Sequence, residues 1–152
     1  DVRLLMAGDG PEGQDLKDKV AQLVLQGQIR FASSRSDMEQ IYPLIDCLVL
    51  PSLSEGMPLV VLAAMSHRIP VISSAVGEVP RILANSQYGQ VVPIGDERAL
   101  RLAMINSITY TGRHDTKARE YVEKHHSIHA MASKYLDVYE SLRMGSHERK
   151  SV

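Results

Sequence analysis

Short apolar runs alternate with helical patterns along the first two thirds of the chain. The runs recur about every 20 residues, and the segments between them carry apolar side chains at three- and four-residue spacing. Strands that alternate with helices in this way predict a parallel sheet with helices on both faces. The predicted strands are residues 4–7, 29–32, 48–50, 70–73 and 89–93.

Helical spacing predicts the remaining elements. Residues 12–26 place Leu16, Val20 and Leu23 on one face, and Gly27 is the expected C-cap. Three shorter elements are predicted next: a short helix capped by Ser36 or Asp37, a buried helix over 58–67 and a helical turn over 79–85. Three longer helices follow: a helix from Asp96 through Ile108, a polar helix over 115–125 and an amphipathic helix from Ser127 through Leu142. Residues 1–144 form the predicted domain, and we expect 145–152 to be a disordered tail.

Composition narrows the class of protein. The 152 residues suffice for one domain with its own core, and a net charge of −1 gives no electrostatic case for nucleic acid or an anionic membrane. The single cysteine, Cys47, excludes an internal disulfide framework and suits a reducing compartment, so we expect a cytoplasmic protein. No segment approaches the roughly 20 apolar residues of a membrane span. The chain begins directly in a predicted strand, so we expect it to be a piece of a longer protein.

The stretch from Cys47 to Met65 is the strongest candidate for a binding site. It reads as a buried strand, a polar turn carrying Glu55, and an apolar helix in which Pro58 is the expected first residue. The unpaired N–H groups of such a helix point out of the carboxyl edge of the sheet, where α/β proteins bind ligands. A diphosphate would suit these amides.

The same residues carry a family resemblance. Pro51-Ser52-x-x-Glu55-Gly56-x-Pro58, followed by Ala64-Met65 in an apolar helix, resembles the donor-site segment of retaining glycosyltransferases of the GT-B fold, family 4 (group 1). The resemblance extends from Leu4 to about Leu142. It implies a Rossmann-like domain, the C-terminal nucleotide-sugar-binding half of a GT-B enzyme. It also implies sugar transfer with retention of configuration, in glycan, polysaccharide or lipopolysaccharide biosynthesis.

The resemblance implies roles for particular residues. Glu55 would bind donor-sugar hydroxyls near the reacting carbon, as the catalytic residue. The donor is a nucleotide-diphosphate sugar, with a UDP-sugar as one candidate, and no metal or other cofactor is expected. The implied donor-binding residues are the turn residues Gly56, Met57, Leu59 and Val60, the loop residues Ser34 and Arg35 beside the base, and Gly8 and Gly10.

Three departures from the family pattern stand out. Ala63 occupies the position of a second glutamate that holds the nucleotide ribose. Glu78 replaces the second glycine of a Gly-Gly-x-Pro-Glu turn, and Arg81 replaces its acid; Arg81 is either a surface residue or reaches toward an anion. The family's first strand and helix, which carry an Arg and a Lys that clamp the diphosphate, lie before the start of this chain. We therefore expect the remaining strands to close the gap, to borrow a strand from another chain or to leave hydrogen-bonding edges unpaired. We also expect the fragment alone to be inactive.

The implied partners follow from the resemblance. They are the donor, an amino-terminal domain that binds the acceptor, and a glycan or glycolipid acceptor, with peripheral membrane attachment through that domain left open. Nucleic acid is not an expected partner. His125 and His129 have helical i, i+4 spacing, but nothing beside them completes a metal site.

Two alternative functions remain open. Gly8-Asp9-Gly10-Pro11-Glu12-Gly13 matches the dinucleotide fingerprint between a strand and a helix, with Asp37 as the candidate ribose acid. This pattern would fit an NAD(P)-dependent oxidoreductase, although Pro11 fixes the backbone where a pyrophosphate should approach. Ala63 motivates the second alternative, a non-catalytic binding domain.

Overall fold

The computed structural model describes residues 2–84, 88–108 and 116–148, with side chains described to residue 143. The chain divides into two compact units, Asp1–Leu44 and Ile45–Val152. Each is described by itself.

The first unit is a two-stranded parallel sheet with its crossover helix. Strands β1 (Leu4–Ala7) and β2 (Ile29–Ala32) pair along their whole length, and α1 (Gly13–Gln22) connects them. The short helix α2 (Met38–Ile41) follows and continues as a 3₁₀ turn over Tyr42–Leu44. Both strands have the predicted bounds.

Helix α1 ends at Gln22, so the prediction that it runs to residue 26 and is capped by Gly27 was wrong. Val24 adopts the left-handed conformation (φ 56°) that normally favours glycine. The Val24 N–H donates to the Ala21 carbonyl oxygen and the Leu25 N–H to that of Val20, which is the bonding pattern of a Schellman motif. The helix therefore ends without the glycine that sequence reasoning looked for.

The second unit is built on a three-stranded parallel sheet. Strands β3 (Leu48–Leu50), β4 (Val71–Ser74) and β5 (Gly89–Val92) lie in that order, and all four residues of β4 are buried. Strand β4 lies one residue later than predicted, and β5 ends one residue earlier than predicted. The described strands thus form two sheets, one in each unit.

Helices cover this sheet. The second unit contains α3 (Leu59–Ser66), α4 (Val79–Ile82), α5 (Glu97–Ile108), α6 (Thr116–His126) and α7 (Ile128–Glu148). Helix α3 packs against β3 and β4 and also against α6, which explains why it is apolar on all sides. Helix α5 packs against β4 and β5 through a cluster of Ile72, Val92 and Ala103.

Several predicted helix ends are confirmed. The Asp96 carboxylate accepts a hydrogen bond from the Ala99 amide (2.8 Å), and the Ser127 hydroxyl accepts one from the Ala130 amide (3.1 Å). His67 is the C-cap of α3. Asn85 and Asp115, expected at two other helix ends, lie outside the described residues.

The last helix is longer than the sequence suggested. Helix α7 passes Gly145 and reaches Glu148, while residues 149–152 of the expected tail lie outside the described part. Within the described residues, no helix combines the length and hydropathy needed to cross a membrane.

Candidate functional site

The turn between β3 and α3 presents the start of a helix at the carboxyl edge of the sheet. Pro58 is the N-cap of α3, with extended backbone (ψ 109°), so its prediction as the first helical residue was wrong by one position. The Val61 N–H donates to the Pro58 carbonyl oxygen (3.1 Å) and begins the helix. The amides of Leu59 and Val60 precede that bond and have no intrahelical acceptor.

The first residues of α3 are exposed to solvent, whereas the residues that follow them are buried in the core. Val61, Ala64 and Met65 are fully buried, whereas Leu59 is 73% exposed and Val60 is also exposed. The polar end therefore faces outward while its helix is held by the core. Helix amides in this position favour an anion through their N–H groups and through the helix dipole.

Glu55 lies in the exposed part of the same turn. Its Oε1 accepts a hydrogen bond from the Ser52 hydroxyl at 2.9 Å. The carboxylate is therefore fixed at one oxygen by its own loop, and its other oxygen is available to a polar ligand such as a sugar hydroxyl.

The turn that follows β4 supports the Glu55 turn. The Glu78 N–H donates to the Gly56 carbonyl oxygen at 2.9 Å. Gly77, at φ 47°, lies so close that a Cβ there would overlap the Gly56 carbonyl oxygen and come within 2.5 Å of that of Glu55. Because β3 and β4 are paired, with Leu50 opposite Ser73, both turns leave the same edge of the sheet.

Arg81 is paired with an acid of its own turn. Its Nε donates to Glu78 Oε2 at 2.5 Å, and the side chain is 67% exposed. This hydrogen bond raises the pKa of the Arg81 guanidinium above its usual value. The two residues that replace the family's glycine and acid thus form a mutual ion pair.

The predicted site residues of the first unit form a second group. Gly8 has a positive φ of 134°, and the Asp9 carboxylate accepts a hydrogen bond from the Ser34 amide at 2.7 Å. The turn of Gly8 and Gly10 after β1 is thereby tied to the Ser34 loop after β2. Arg35 is paired with Asp37 through Nε and Oδ1 (2.7 Å), which lowers the pKa of the Asp37 carboxyl.

These contacts bear on the dinucleotide alternative. The third glycine of that fingerprint normally permits close helix–strand packing, but a Cβ built on Gly13 meets nothing within 4 Å. The candidate ribose acid, Asp37, is already engaged with Arg35. The sequence of this turn therefore matches the dinucleotide fingerprint, but its geometry does not.

Three other features singled out in the sequence are Ala63, Cys47 and the pair His125 and His129. Ala63 is half-buried on α3. Cys47 packs against the Ile72 cluster, and burial raises the pKa of its thiol. Among the residues that the structure describes, no three His, Cys, Asp or Glu side chains are grouped as a metal site, and His125 and His129 fall on separate helices.

The structure brings Glu55, Gly56, Met57, Leu59 and Val60 together in one turn of the second unit, and Gly8, Gly10, Ser34 and Arg35 in linked turns of the first. Sequence reasoning missed Ser52, Asp9 and Gly77. Ser52 was read only as part of the motif and as the residue that bounds β3, and its spacing to Glu55 matches no helix-capping pattern because α3 begins later, at Leu59. Asp9 and Gly77 act across long sequence separations that no local pattern shows.

Comparison with known proteins identifies the class. The family described as "Glycosyl transferases group 1" matches residues 1–110. The chain belongs to this family. Its strands and helices are similar to those of GT-B glycosyltransferase structures, which confirms the expected fold class.

Individual relatives support the assignment. N-acetyl-alpha-D-glucosaminyl L-malate synthase of Bacillus anthracis is 26% identical over 142 residues, which cover 91% of this chain and 37% of that protein. Sucrose-phosphate synthase of Thermosynechococcus elongatus is 25% identical with a TM-score of 0.81, covering 94% of this chain and 39% of that one. The HepE protein of Anabaena, in complex with UDP-glucose, gives a TM-score of 0.79 at 19% identity, over 92% of this chain and 41% of that one. The chain thus spans about two fifths of the length of these relatives.

Proposed function

We propose that this chain is the donor-binding part of a glycosyltransferase that moves a sugar from a nucleoside diphosphate to an acceptor with retention of anomeric configuration. The observation that carries the proposal is the largely exposed turn that leads from Glu55 into α3, where the first-turn amides of Leu59 and Val60 follow a carboxylate that is hydrogen-bonded to Ser52. Membership in the group 1 glycosyl transferases supports it.

The helix amides would act on the leaving group. As the bond between the sugar and the diphosphate breaks, negative charge grows on the phosphate oxygens. The N–H groups of Leu59 and Val60 are held in place by a buried helix, so they would stabilise this charge without rearranging. Gly56 and Met57 offer further amides in the same turn, whereas Pro58 has none.

Glu55 would act on the sugar. A carboxylate in contact with a diphosphate would be repelled by it, so its ligand is a neutral polar group. Sugar hydroxyls are suitable donors, and the Ser52 hydrogen bond leaves one carboxylate oxygen to receive them. Orientation of the sugar by a fixed acceptor raises the fraction of bound donor that is ready to react.

The direct test is Glu55→Gln in the full-length protein. We expect turnover to fall by on the order of 100-fold, because a fixed charged acceptor becomes a weaker neutral one. Folding should be kept, since an exposed acid near a helix N-terminus contributes only about 0.3–1 kcal/mol.

Glu97→Gln is the matched control. Glu97 is an exposed acid in the first turn of α5, so it shares the helix-dipole interaction but lies in a different loop. Its variant should keep full turnover. Unchanged turnover in Glu55→Gln would remove Glu55 from the site.

A second candidate function, a non-catalytic sugar-nucleotide-binding domain, is favoured by Ala63. Its methyl group cannot accept hydrogen bonds from ribose hydroxyls. Ala63→Glu in the full-length protein tests this: if transfer is absent both before and after the change, the non-catalytic function gains. If transfer is present with Ala63, the ribose is held by other groups.

On substrates, we propose a UDP-sugar donor and a glycan or glycolipid acceptor. UDP-glucose is bound in a structural neighbour of this chain, and another neighbour is a lipopolysaccharide outer core galactosyltransferase. We propose a cytoplasmic location, because the one cysteine, Cys47, is a half-buried free thiol that suits a reducing compartment.

A further inference from the structure

The Glu55 turn is in contact with a second turn, the one that follows β4. Residues 75–78 connect β4 to α4, and their backbone lies against the backbone of Glu55 and Gly56. The Glu78 amide donates to the Gly56 carbonyl oxygen at 2.9 Å. Val76 and Val79, on either side of Gly77 and Glu78, are buried, so this second turn is itself anchored in the core.

The contact leaves no room for a side chain. A Cβ on Gly77 would overlap the Gly56 carbonyl oxygen, and the neighbouring Glu55 carbonyl oxygen would be 2.5 Å away. Backbone atoms cannot rotate aside as a flexible side chain can. Any residue other than glycine must therefore push the Glu55 turn or the Gly77 turn out of position.

We infer that Gly77 and the amide of Glu78 are positioning elements for Glu55 in the proposed sugar transfer. They hold the backbone of the Glu55 turn in position at the edge of the sheet, while Ser52 holds the carboxylate through a hydrogen bond. This inference rests on the proposed function. It adds that the specificity for glycine at position 77 serves the site rather than the fold alone.

Gly77→Ala in the full-length protein tests the inference. A displacement of about 1 Å at a catalytic group can cost 100-fold in rate, so we expect kcat to fall between about 10-fold and 100-fold. The KM for the donor should change by less than kcat, because two of the proposed diphosphate-binding amides, those of Leu59 and Val60, belong to a helix that is buried independently of the Gly77 contact. Activity is measured well below the melting temperature of each variant, so that loss of folded protein does not contribute.

Two other glycines provide matched controls. Gly95 has the same left-handed conformation (φ 73°) but open space around it, so Gly95→Ala carries the backbone strain without the clash. A Cβ on Gly89 would overlap the Val71 carbonyl oxygen between β4 and β5, so Gly89→Ala carries a backbone clash at the other end of these strands. We expect both controls to lose stability yet keep kcat within about threefold of the unchanged protein.

The outcomes separate this inference from the function on which it rests. If Glu55→Gln loses turnover while Gly77→Ala behaves like Gly95→Ala and Gly89→Ala, the positioning role is wrong and the function stands. If Glu55→Gln keeps full turnover, the proposed function itself fails.

If the Gly77→Ala variant does not fold, two valine variants provide a second test of the same inference. Val79 and Val71 are both fully buried, but Val79 lies beside the Gly77 turn and Val71 at the start of β4. Val79→Ala should lower kcat several-fold more than Val71→Ala at a similar loss of stability. Equal values of kcat for the two variants would overturn the inference.

Discussion

At the scale of single residues, the site depends on how firmly an exposed carboxylate is held. Among the residues that the structure describes, the contacts of Glu55 are the Ser52 hydroxyl, which binds its side chain, and the Gly77 turn, which lies against its backbone. Exposed acids usually sample several rotamers. Two supports from different loops reduce that freedom, and this is the property that a sugar-orienting group needs.

We predict that Ser52→Ala lowers kcat about threefold to tenfold in the full-length protein. The expected size follows from the roughly 0.5–1.5 kcal/mol of a hydrogen bond and about 1.4 kcal/mol per tenfold in rate. Because the bond is exposed, the melting temperature should stay nearly constant. Ser54→Ala, in the same loop, is the control with unchanged kcat, and Ser52→Thr should restore most of the rate. An equal kcat for Ser52→Ala and Ser54→Ala would exclude the Ser52 contact as a support.

Residues were predictable where their signal is local. Glu55 could be singled out because a strand, a polar turn and an apolar helix follow one another directly in the sequence. The bond from the Ser34 amide to Asp9 joins residues 25 positions apart, and the Gly77 contact also crosses between loops. Such contacts depend on how neighbouring strands pair, which apolar periodicity does not encode.

At the scale of elements, two helix ends place a residue other than glycine in the left-handed conformation that glycine prefers. Val24 holds the left-handed position that ends α1, and Arg68 (φ 61°) holds the same position after α3. In both helices a Schellman pattern closes the last turn; after α3 the Ile69 N–H donates to the Ala64 carbonyl oxygen and Ile69 is buried. The end is therefore set by what packs after the helix, even where the residue at the turn is unfavourable.

We predict that Val24→Gly stabilises the chain by about 1 kcal/mol. A β-branched residue in the left-handed region costs roughly 1–2 kcal/mol, and Val24 is 82% exposed, so little burial is lost. Leu23→Gly is the control: Leu23 has an ordinary φ of −85°, so glycine there should destabilise by roughly 0.5–1 kcal/mol. Denaturant unfolding measures both. A Val24→Gly variant no more stable than the unchanged chain would contradict the assigned conformation.

Strands were easier to predict than helix ends. Leu48 to Leu50 is a short apolar run whose neighbours end it, and the structure has the same bounds. The end of α1 was missed because Gly27 offered the expected signal, whereas the chain turns at Val24. Propensity sets a preference at each position, and tertiary packing decides between competing positions.

At the scale of the whole molecule, the described strands form two parallel sheets, one in each unit. Alternating strands and helices were enough to predict the parallel α/β class, because only that arrangement buries both patterns. The division into a two-stranded and a three-stranded sheet was not predicted as such, since strand neighbours depend on more than strand content. The chain spans about two fifths of its relatives, so activity is a property to test in the full-length protein.

We propose that the start of α3 binds the diphosphate of an activated sugar beside Glu55. A crystal structure of the full-length protein with a sugar nucleotide, UDP-glucose in the first instance, tests it most directly. We expect phosphate oxygens about 3 Å from the Leu59 and Val60 amides, with a sugar hydroxyl on the Glu55 carboxylate. A bound sugar nucleotide that leaves this turn empty, or a turn closed by other side chains, would contradict it.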